Sequence, residues 1–377
     1  MNIIIIGNYI PDNQFSMRIF AELIEEGYKK SGMKIRVIRP SIFFLKVSLK
    51  NLNIIKWLGY TDKFIIFPIQ LLLLRSKNFI LKYPVHYHIC DHSNAFYLYF
   101  LPKSKTIITC HDVLAIQSGL GFNNTYCSTT KSGIVLQKII LNALSSAKKL
   151  AAVSEYTLNQ LNLIDNKSSI SKKWMTIHNA LSEKFKPSNK DEIEKLLKKF
   201  EELRNKKFIL HVGSSLERKN RMLLVKLLYE LQNDWDGLLV FAGDSLSNEI
   251  LELIENLKVA DKIIQIYRPD QKEIIALYST CQVMIFPSYS EGFGWPIIEA
   301  QACGAPVITS NRAPMMTEVG GNASLYSDPD DPISFANQFL KLNNEAFRTD
   351  VIRLGYENAK RFNFENTINK YIELIQN

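Results

Sequence analysis

Cysteine, glycine, proline and long apolar runs are all scarce in this 377-residue chain, and each scarcity removes a class of protein. Five Cys, an odd number with no CxxC pair, argue against a disulfide scaffold or a structural zinc site and point to reduced thiols in a cytosol. With 16 Gly and 13 Pro, the chain is neither collagen-like nor of low complexity. The longest apolar run, 64–74, is interrupted by Pro68 and Gln70 and falls short of the roughly 20 residues a bilayer span needs. The opening MNIIIIG has no basic stretch, and its apolar run is too short for a secretory signal. What is present is a globular composition, 46% hydrophobic and 22% charged, which excludes wholesale disorder. At about 150 residues per domain the length predicts two or three domains. The net charge of +9 predicts an anionic partner, a membrane surface, a nucleotide or a nucleic acid, without choosing among them.

Short apolar strands alternate with amphipathic helical stretches. Strand patterns fall at 1–6, 34–38, 85–89, 106–109, 150–153 and 174–177, with a helix over 17–30 carrying Ile19, Phe20, Leu23 and Ile24 on one face. After a polar linker at 182–189 and a charged helix over 191–205, a second series follows at 208–212, 237–241, 262–266, 283–286 and 306–309. Helical patterns at 221–231 and 271–278 lie between these strands. Alternation of this kind predicts α/β architecture, two doubly wound parallel sheets in tandem with helices on both faces. Ligands in such sheets bind outside the carboxyl ends of the strands, so the residues just after each strand are the ones to inspect.

The most informative such segment is PSYSEGFGWPIIEA at 287–300. A buried strand runs into a loop with Glu291, and a helix begins near Trp295 with Pro296 in its first turn. Gly292 and Gly294 let the backbone approach a ligand, and the helix start offers N–H groups to an anion. Glu299 follows one turn later. Two carboxylates flanking an anion site suit a ligand with both phosphate and hydroxyls, although each alone also reads as a solvated charge at a helix end. Upstream, HVGSSLERKN at 211–220 places Gly213 and Ser214 at a turn and Arg218 and Lys219 at a helix start, where the dipole disfavours cations unless an anion lies between.

Together these strings resemble the E-G-F-G-x-P-x-x-E-A and V-G-x-x-x-x-R-K-N signatures of family 4 retaining glycosyltransferases, group 1 enzymes of the GT-B fold. The resemblance covers nearly the whole chain. It implies two Rossmann-like doubly wound domains facing a central cleft, an acceptor-side domain over 1–183 and a nucleotide-sugar donor domain over 190–357. A C-terminal segment, 358–377, would cross back to the first domain. Gly213, Ser214, Arg218, Lys219, Gly292, Phe293, Gly294 and Glu299 would bind the donor. Some relatives carry an arginine where this chain has Ser214, so Arg218 and above all Lys219 must neutralise the diphosphate. Tyr267-Arg-Pro-Asp270 matches, weakly, a loop that lines the nucleobase.

In the first half, TIITCHDV at 106–113 puts His111 just past a strand end, and its likeness to a T-x-H-D segment implies an active-site residue. As a bare pattern it also reads as a strand-end histidine with Asp112 capping a helix. His86, His88 and His92 are poorly spaced for a metal: the first two share a strand face and the third follows a turn. Asp91, His92 and Ser93 are expected in a loop on the acceptor side. The loop after the first strand has Gln14, Phe15 and Ser16 where many relatives carry paired glycines, so the side chains of Gln14 and Ser16 would substitute there.

Residues 42–82 combine Phe43, Phe44, Leu45, Trp57 and the 64–74 run with Lys46, Lys50, Lys56, Lys63, Arg75 and Lys77. This suits either a monotopic membrane contact or buried helices with solvated lysines. Asp234-Trp-Asp236 and Asp328-Pro-Asp330 look like metal-binding DxD strings, but their placement reads as turns, with Asp331 and Pro332 as a helix start.

The resemblance therefore implies a cytoplasmic enzyme, or one peripheral on the inner face of the cell membrane. It would move a hexose from a UDP- or GDP-linked sugar to an acceptor hydroxyl, retaining configuration, in bacterial surface glycan or lipopolysaccharide synthesis. His111 and Glu291 would be catalytic, with Glu291 holding the sugar and Glu299 the ribose. No metal or other cofactor is expected. The partners would be the donor, a glycan or lipid-linked acceptor and an anionic membrane surface, but no nucleic acid. Alternatives are an epimerase or phosphorylase of the same fold and a non-catalytic two-lobed sugar-binding protein. The GxGxxG of a dinucleotide oxidoreductase is missing after the first strand.

Overall fold

A computed structural model describes residues 1–44, 52–123, 125–165 and 172–377. Leu45, Lys46, Lys50 and the side chain of Lys56, counted above in the basic and apolar segment, lie outside the described residues. The chain divides into two compact units, the first formed by 1–178 with 364–377 and the second by 179–363.

The first unit holds six parallel strands, β1 (Asn2–Ile6), β2 (Lys34–Ile38), β3 (Val85–Ile89), β4 (Thr106–Cys110), β5 (Lys149–Ala152) and β6 (Lys173–Thr176), in the order β2-β1-β3-β4-β5-β6. Ile3 to Ile6 are all buried, because helices cover both faces of a parallel sheet and leave its central strands no solvent side. The order reverses between β1 and β3, which pair from Asn2 with Val85 to Ile6 with Ile89. Their carboxyl ends therefore flank a topological switch point.

The second unit repeats the plan with β7 (Phe208–Gly213), β8 (Leu238–Gly243), β9 (Ile263–Tyr267), β10 (Val283–Phe286), β11 (Val307–Ser310) and β12 (Ser324–Ser327), in the order β12-β11-β10-β7-β8-β9. Here the switch point lies between β7 and β10, which pair at Val283 with Ile209 and Met284 with Leu210. Strand β12 has no counterpart in the sequence reading. It is four residues long with only its end positions buried, too short and too polar to stand out. The charged helix expected over 191–205 ends at Lys199 and gives way to a single 3-10 turn, Glu201–Leu203. Glu201 and Glu202 would oppose the negative end of a longer helix.

The last helix, Phe364–Gln376, completes the core of the first unit. Tyr371 is buried and its hydroxyl lies 3.2 Å from Thr109 Oγ1. The Lys149 ammonium donates to the carbonyl of Ile375 at 2.6 Å.

The 64–74 run proves to be part of something longer. Leu52–Thr61, a stretch of π-helix at Asp62–Ile66 and Phe67–Ile80 form one continuous rod. Its Trp57–Ile80 portion is long and apolar enough to cross a membrane by length and composition alone. Counting uninterrupted apolar residues missed this, because Pro68 sits in the first turn after the π-helix and does not break the rod.

Candidate functional site

Both switch points carry polar clusters, and the two differ in kind. In the second unit β7 leads into a 3-10 turn, Glu217–Lys219, and Asn220 closes it with φ 53°. The Asn220 side-chain amide donates to the carbonyls of Pro287 at 3.2 Å and Pro329 at 2.6 Å, so this one residue ties the loops after β7, β10 and β12 together. Arg221 continues the tie, donating to the carbonyl of Asp244 at 2.8 Å and to that of Gly213. Gly243 sits against Gly213 with φ 143°, and a Cβ there would lie 2.0 Å from the Gly213 carbonyl oxygen, so no other residue fits.

This frame places Arg218 and Lys219 against Glu291. Arg218 Nη1 lies 2.5 Å from Glu291 Oε2, and Lys219 Nζ lies 2.6 Å from Oε1. The Arg218 guanidinium also donates to the Ser290 carbonyl at 3.0 Å, and the Lys219 ammonium stands 4.8 Å from the centre of the Phe286 ring. Burial alone would push the Glu291 carboxyl up, but the charges and hydrogen bonds of Lys219 and Arg218 outweigh it and hold the group down at about 2. Burial lowers the affinity of Lys219 for its proton, which Glu291 partly restores. The anion that two cations at a turn require is thus supplied by the chain itself.

Gly294, with φ 112°, starts the helix Trp295–Ala302, and Pro296 occupies its first turn. Phe293 is buried with its ring 5.5 Å from that of Phe362. Its side chain therefore packs in the interior, and Phe293 reaches a ligand only through its backbone. Gly292 is half-buried beside it, and Ser214 is half-buried after β7. Glu299 belongs to a different set of contacts, accepting from the Tyr278 hydroxyl at 3.2 Å. Burial pushes its carboxyl up to about 7. Tyr278, which the sequence reading passed over, carried no signal beyond an apolar helix position. Tyr267 is exposed, and Asp270 is spent on capping the helix Gln271–Thr280.

In the first unit the cluster is one of amides and imidazoles. Asn8, just past β1, donates to both Gln14 and Asp91, and accepts from Asn94 at 3.2 Å. Asp91 also takes the Ser93 amide at 2.9 Å and the Ser93 hydroxyl at 2.7 Å. Burial opposes the Asp91 charge, but the imidazoles of His92 and His111, the Ser93 amide and Asn8 together hold its pKa down. His111 is buried, with Nε2 donating to the Cys90 carbonyl at 2.8 Å and its own amide donating to His92 Nδ1 at 3.3 Å. Its ring meets Phe20 edge-on at 4.6 Å. Burial lowers its pKa against the pull of Asp91, so the ring is neutral at pH 7, with Nε2 protonated and Nδ1 left as the acceptor.

Gln14, Asp91, His92 and His111 are thus gathered at one switch point, whereas Ser16 is not in the loop at all. The helix begins at Phe15, two residues earlier than its periodicity predicts, so Ser16 is exposed in its first turn. Ser93, expected in the same loop, joins them through Asp91, and Asn8 and Asn94 join the cluster unpredicted; only their position just after strand ends marked them.

His86 and His88 do not share a ligand. His88 is buried between the Tyr28 hydroxyl and Thr109 Oγ1, each at 2.9 Å. Of the DxD-like strings, Asp236 pairs with Lys262 at 3.2 Å, Asp328 and Asp330 face Arg312, and Asp331 caps the helix Pro332–Lys341.

Residues 192–358 match the sequence profile of the glycosyl transferases group 1. O-antigen chain mannosyltransferase B of Escherichia coli is 29% identical over 246 residues, 63% of this chain and 63% of that one. The chain spans less than two thirds of the length of the first curated relatives it matches. Sucrose-phosphate synthase from Thermosynechococcus elongatus superposes with a TM-score of 0.76 at 17% identity, over 100% of this chain and 98% of that one. Anabaena HepE, solved with UDP and glucose, superposes with a TM-score of 0.73 at 14% identity, over 100% and 99%. The fold is that of GT-B proteins, two Rossmann-like domains. The group 1 glycosyl transferase profile lies wholly within the second unit, 179–363.

Proposed function

We propose that the protein is a retaining glycosyltransferase that moves a hexose from a UDP- or GDP-linked sugar to an acceptor hydroxyl in the synthesis of a surface glycan or glycolipid. The observation that carries this reading is the clamp of Arg218 and Lys219 on Glu291 at the β7 and β10 switch point. Two cations held at a glycine-bordered helix start, Lys219 buried and Arg218 half-buried, are what a departing diphosphate requires, because charge that develops there is stabilised by groups already in place. The E. coli relative is named for mannose transfer to O-antigen, and HepE was solved with UDP-glucose as well as UDP. These support a nucleotide-sugar donor and a surface-glycan pathway.

In this reading the diphosphate competes with Glu291 for Arg218 and Lys219, and the released carboxylate turns to hydroxyls of the sugar. Glu299 receives the ribose diol. The anomeric carbon–oxygen bond to the diphosphate breaks, and the acceptor oxygen bonds to that carbon on the same face. The acceptor proton passes to a phosphate oxygen of the leaving group. His111, neutral and fixed through Nε2, offers Nδ1 to a hydroxyl of the sugar or acceptor. In this reading the two cationic side chains take the role that a divalent ion would otherwise have, so transfer needs no metal, and the enzyme is cytoplasmic.

Titration calorimetry with UDP and GDP, followed by mass-spectrometric screening of donor turnover, tests the reading. One nucleotide should bind the wild-type protein and lose at least about tenfold in affinity in Arg218→Ala and Lys219→Ala, and EDTA should leave turnover unchanged. Equal binding in all three proteins would overturn it.

A further inference from the structure

We infer that the exposed face of the Trp57–Ile80 helix is a docking surface for an anionic lipid bilayer, with the helix lying flat on it. Ile65, Ile69, Leu72, Leu73, Phe79 and Ile80 are all exposed, Leu73 at 66%, Phe79 at 83% and Ile80 at 76%. Their spacing, four, three, one, six and one residues, keeps them on one side of a 3.6-residue helix, so they form a single apolar stripe. Isolated apolar side chains on a surface need no explanation, but a continuous stripe of this size does.

The opposite side of the same helix is already committed. Phe67, Pro68 and Leu71 are buried, Leu74 packs on the core of the first unit, and the Phe67 ring meets Tyr97 at 4.9 Å. A helix held to a sheet domain along one side cannot be surrounded by lipid. The length that would allow a span is therefore used lengthwise, in the plane of the interface.

Charge selects the occupant. Between residues 57 and 83 the single acid is Asp62, which is buried. The cations Arg75, Lys77 and Lys82 are exposed beside the stripe. A second copy of the chain would bring these like charges together across a two-fold axis, whereas anionic headgroups complement them.

The buried Asp62 also connects this face to the acceptor-side cluster. It accepts from the Tyr9 hydroxyl at 2.8 Å and from the amides of Phe43 and Phe44 at 3.1 Å each. The next residue, Lys63, pairs with Asp12 at 2.9 Å. Tyr9 and Asp12 lie in the same loop as Asn8 and Gln14. The docked helix and the loop at the β1 and β3 switch point are therefore one hydrogen-bonded piece, which suits an acceptor that stays in the bilayer.

Flotation of the full chain with vesicles of phosphatidylcholine, alone or mixed with phosphatidylglycerol, tests the docking without donor or acceptor, so its outcome is separate from that of the transfer reading. The wild type should float with the mixed vesicles and bind the neutral ones about tenfold more weakly. Leu73→Asp/Phe79→Asp, at exposed positions that leave the melting curve unchanged, should lower binding at least about tenfold. Arg75→Gln/Lys77→Gln should lose mainly the preference for phosphatidylglycerol. Failure of the wild type to float, or equal flotation of wild type and the Asp variant, would overturn the inference. So would resistance of the bound protein to alkaline carbonate, which marks a span, or a wild-type dimer that the Asp variant dissociates without vesicle binding.

Discussion

At the switch point of the second sheet the chain concentrates full charges, two cations and a carboxylate within salt-bridge distance, with Lys219 and Glu291 buried and Arg218 half-buried. At that of the first sheet it spreads partial charges over Asn8, Gln14, Ser93, Asn94 and two imidazoles around the carboxylate of Asp91. The same topology thus supports a site built for one group of fixed charge and a site built for a pattern of hydroxyls. Removing one member of a buried ion cluster strands the others without water, whereas an amide network can rearrange around a gap. The two sites should therefore fail differently.

The largest expected effect is that of Lys219→Met, which leaves Glu291 with Arg218 alone and removes a charge from the diphosphate. Donor turnover, measured as kcat/KM, should fall about a thousandfold. A drop under about tenfold would mean that the second site is not where charge develops. Glu291→Gln comes next. It frees both cations, so nucleotide binding should hold or tighten while kcat falls about a hundredfold; weaker nucleotide binding with unchanged kcat would reverse the roles given to the two glutamates.

In the first unit, Asp91→Asn should raise the acceptor KM by about tenfold and leave nucleotide binding alone. If it instead abolished nucleotide binding, the contrast between a donor half and an acceptor half would be lost. The smallest effect is one of pH. Glu299 prefers its proton in the folded chain, so it contributes stability that is present below the ordinary glutamate range and lost as pH rises through about 7. Melting curves should show Glu299→Gln gaining on the wild type between about pH 5 and pH 8. Glu291 has the opposite sign, its contribution being lost as pH falls toward about 2.

Much of the fold was legible in the sequence, because buried parallel strands are short, apolar and bounded by polar loops. β1, β3 and β10 could be read almost to the residue. Strand β12 could not, since an edge strand with a half-exposed polar face carries no such mark. The residues after β7 and β10 could be picked out because glycines, cations and carboxylates are rare company at strand ends. Their mutual pairing was hidden, as 72 residues separate Lys219 from Glu291 and only the sheet order brings them together. Asn8 was overlooked, and Asn220, though part of the R-K-N string, was given no role, for a related reason: an asparagine after a strand looks like turn chemistry until its amide is seen bridging distant loops. The helix through residue 80 was misjudged because a run of apolar letters was measured where a helical face should have been.

The first unit is not contiguous in the chain, since Phe364–Gln376 joins it only after the whole of the second has been made. During synthesis, Tyr371 reaches Thr109 and His88 only after the second unit has been made. Until then the growing polypeptide carries an uncovered apolar seam beside β4 and β5. The second unit, by contrast, has its entire core in hand by residue 363 and can fold as it emerges. A chain truncated after residue 363 should therefore expose the seam to chaperones while its second unit, complete in sequence, folds.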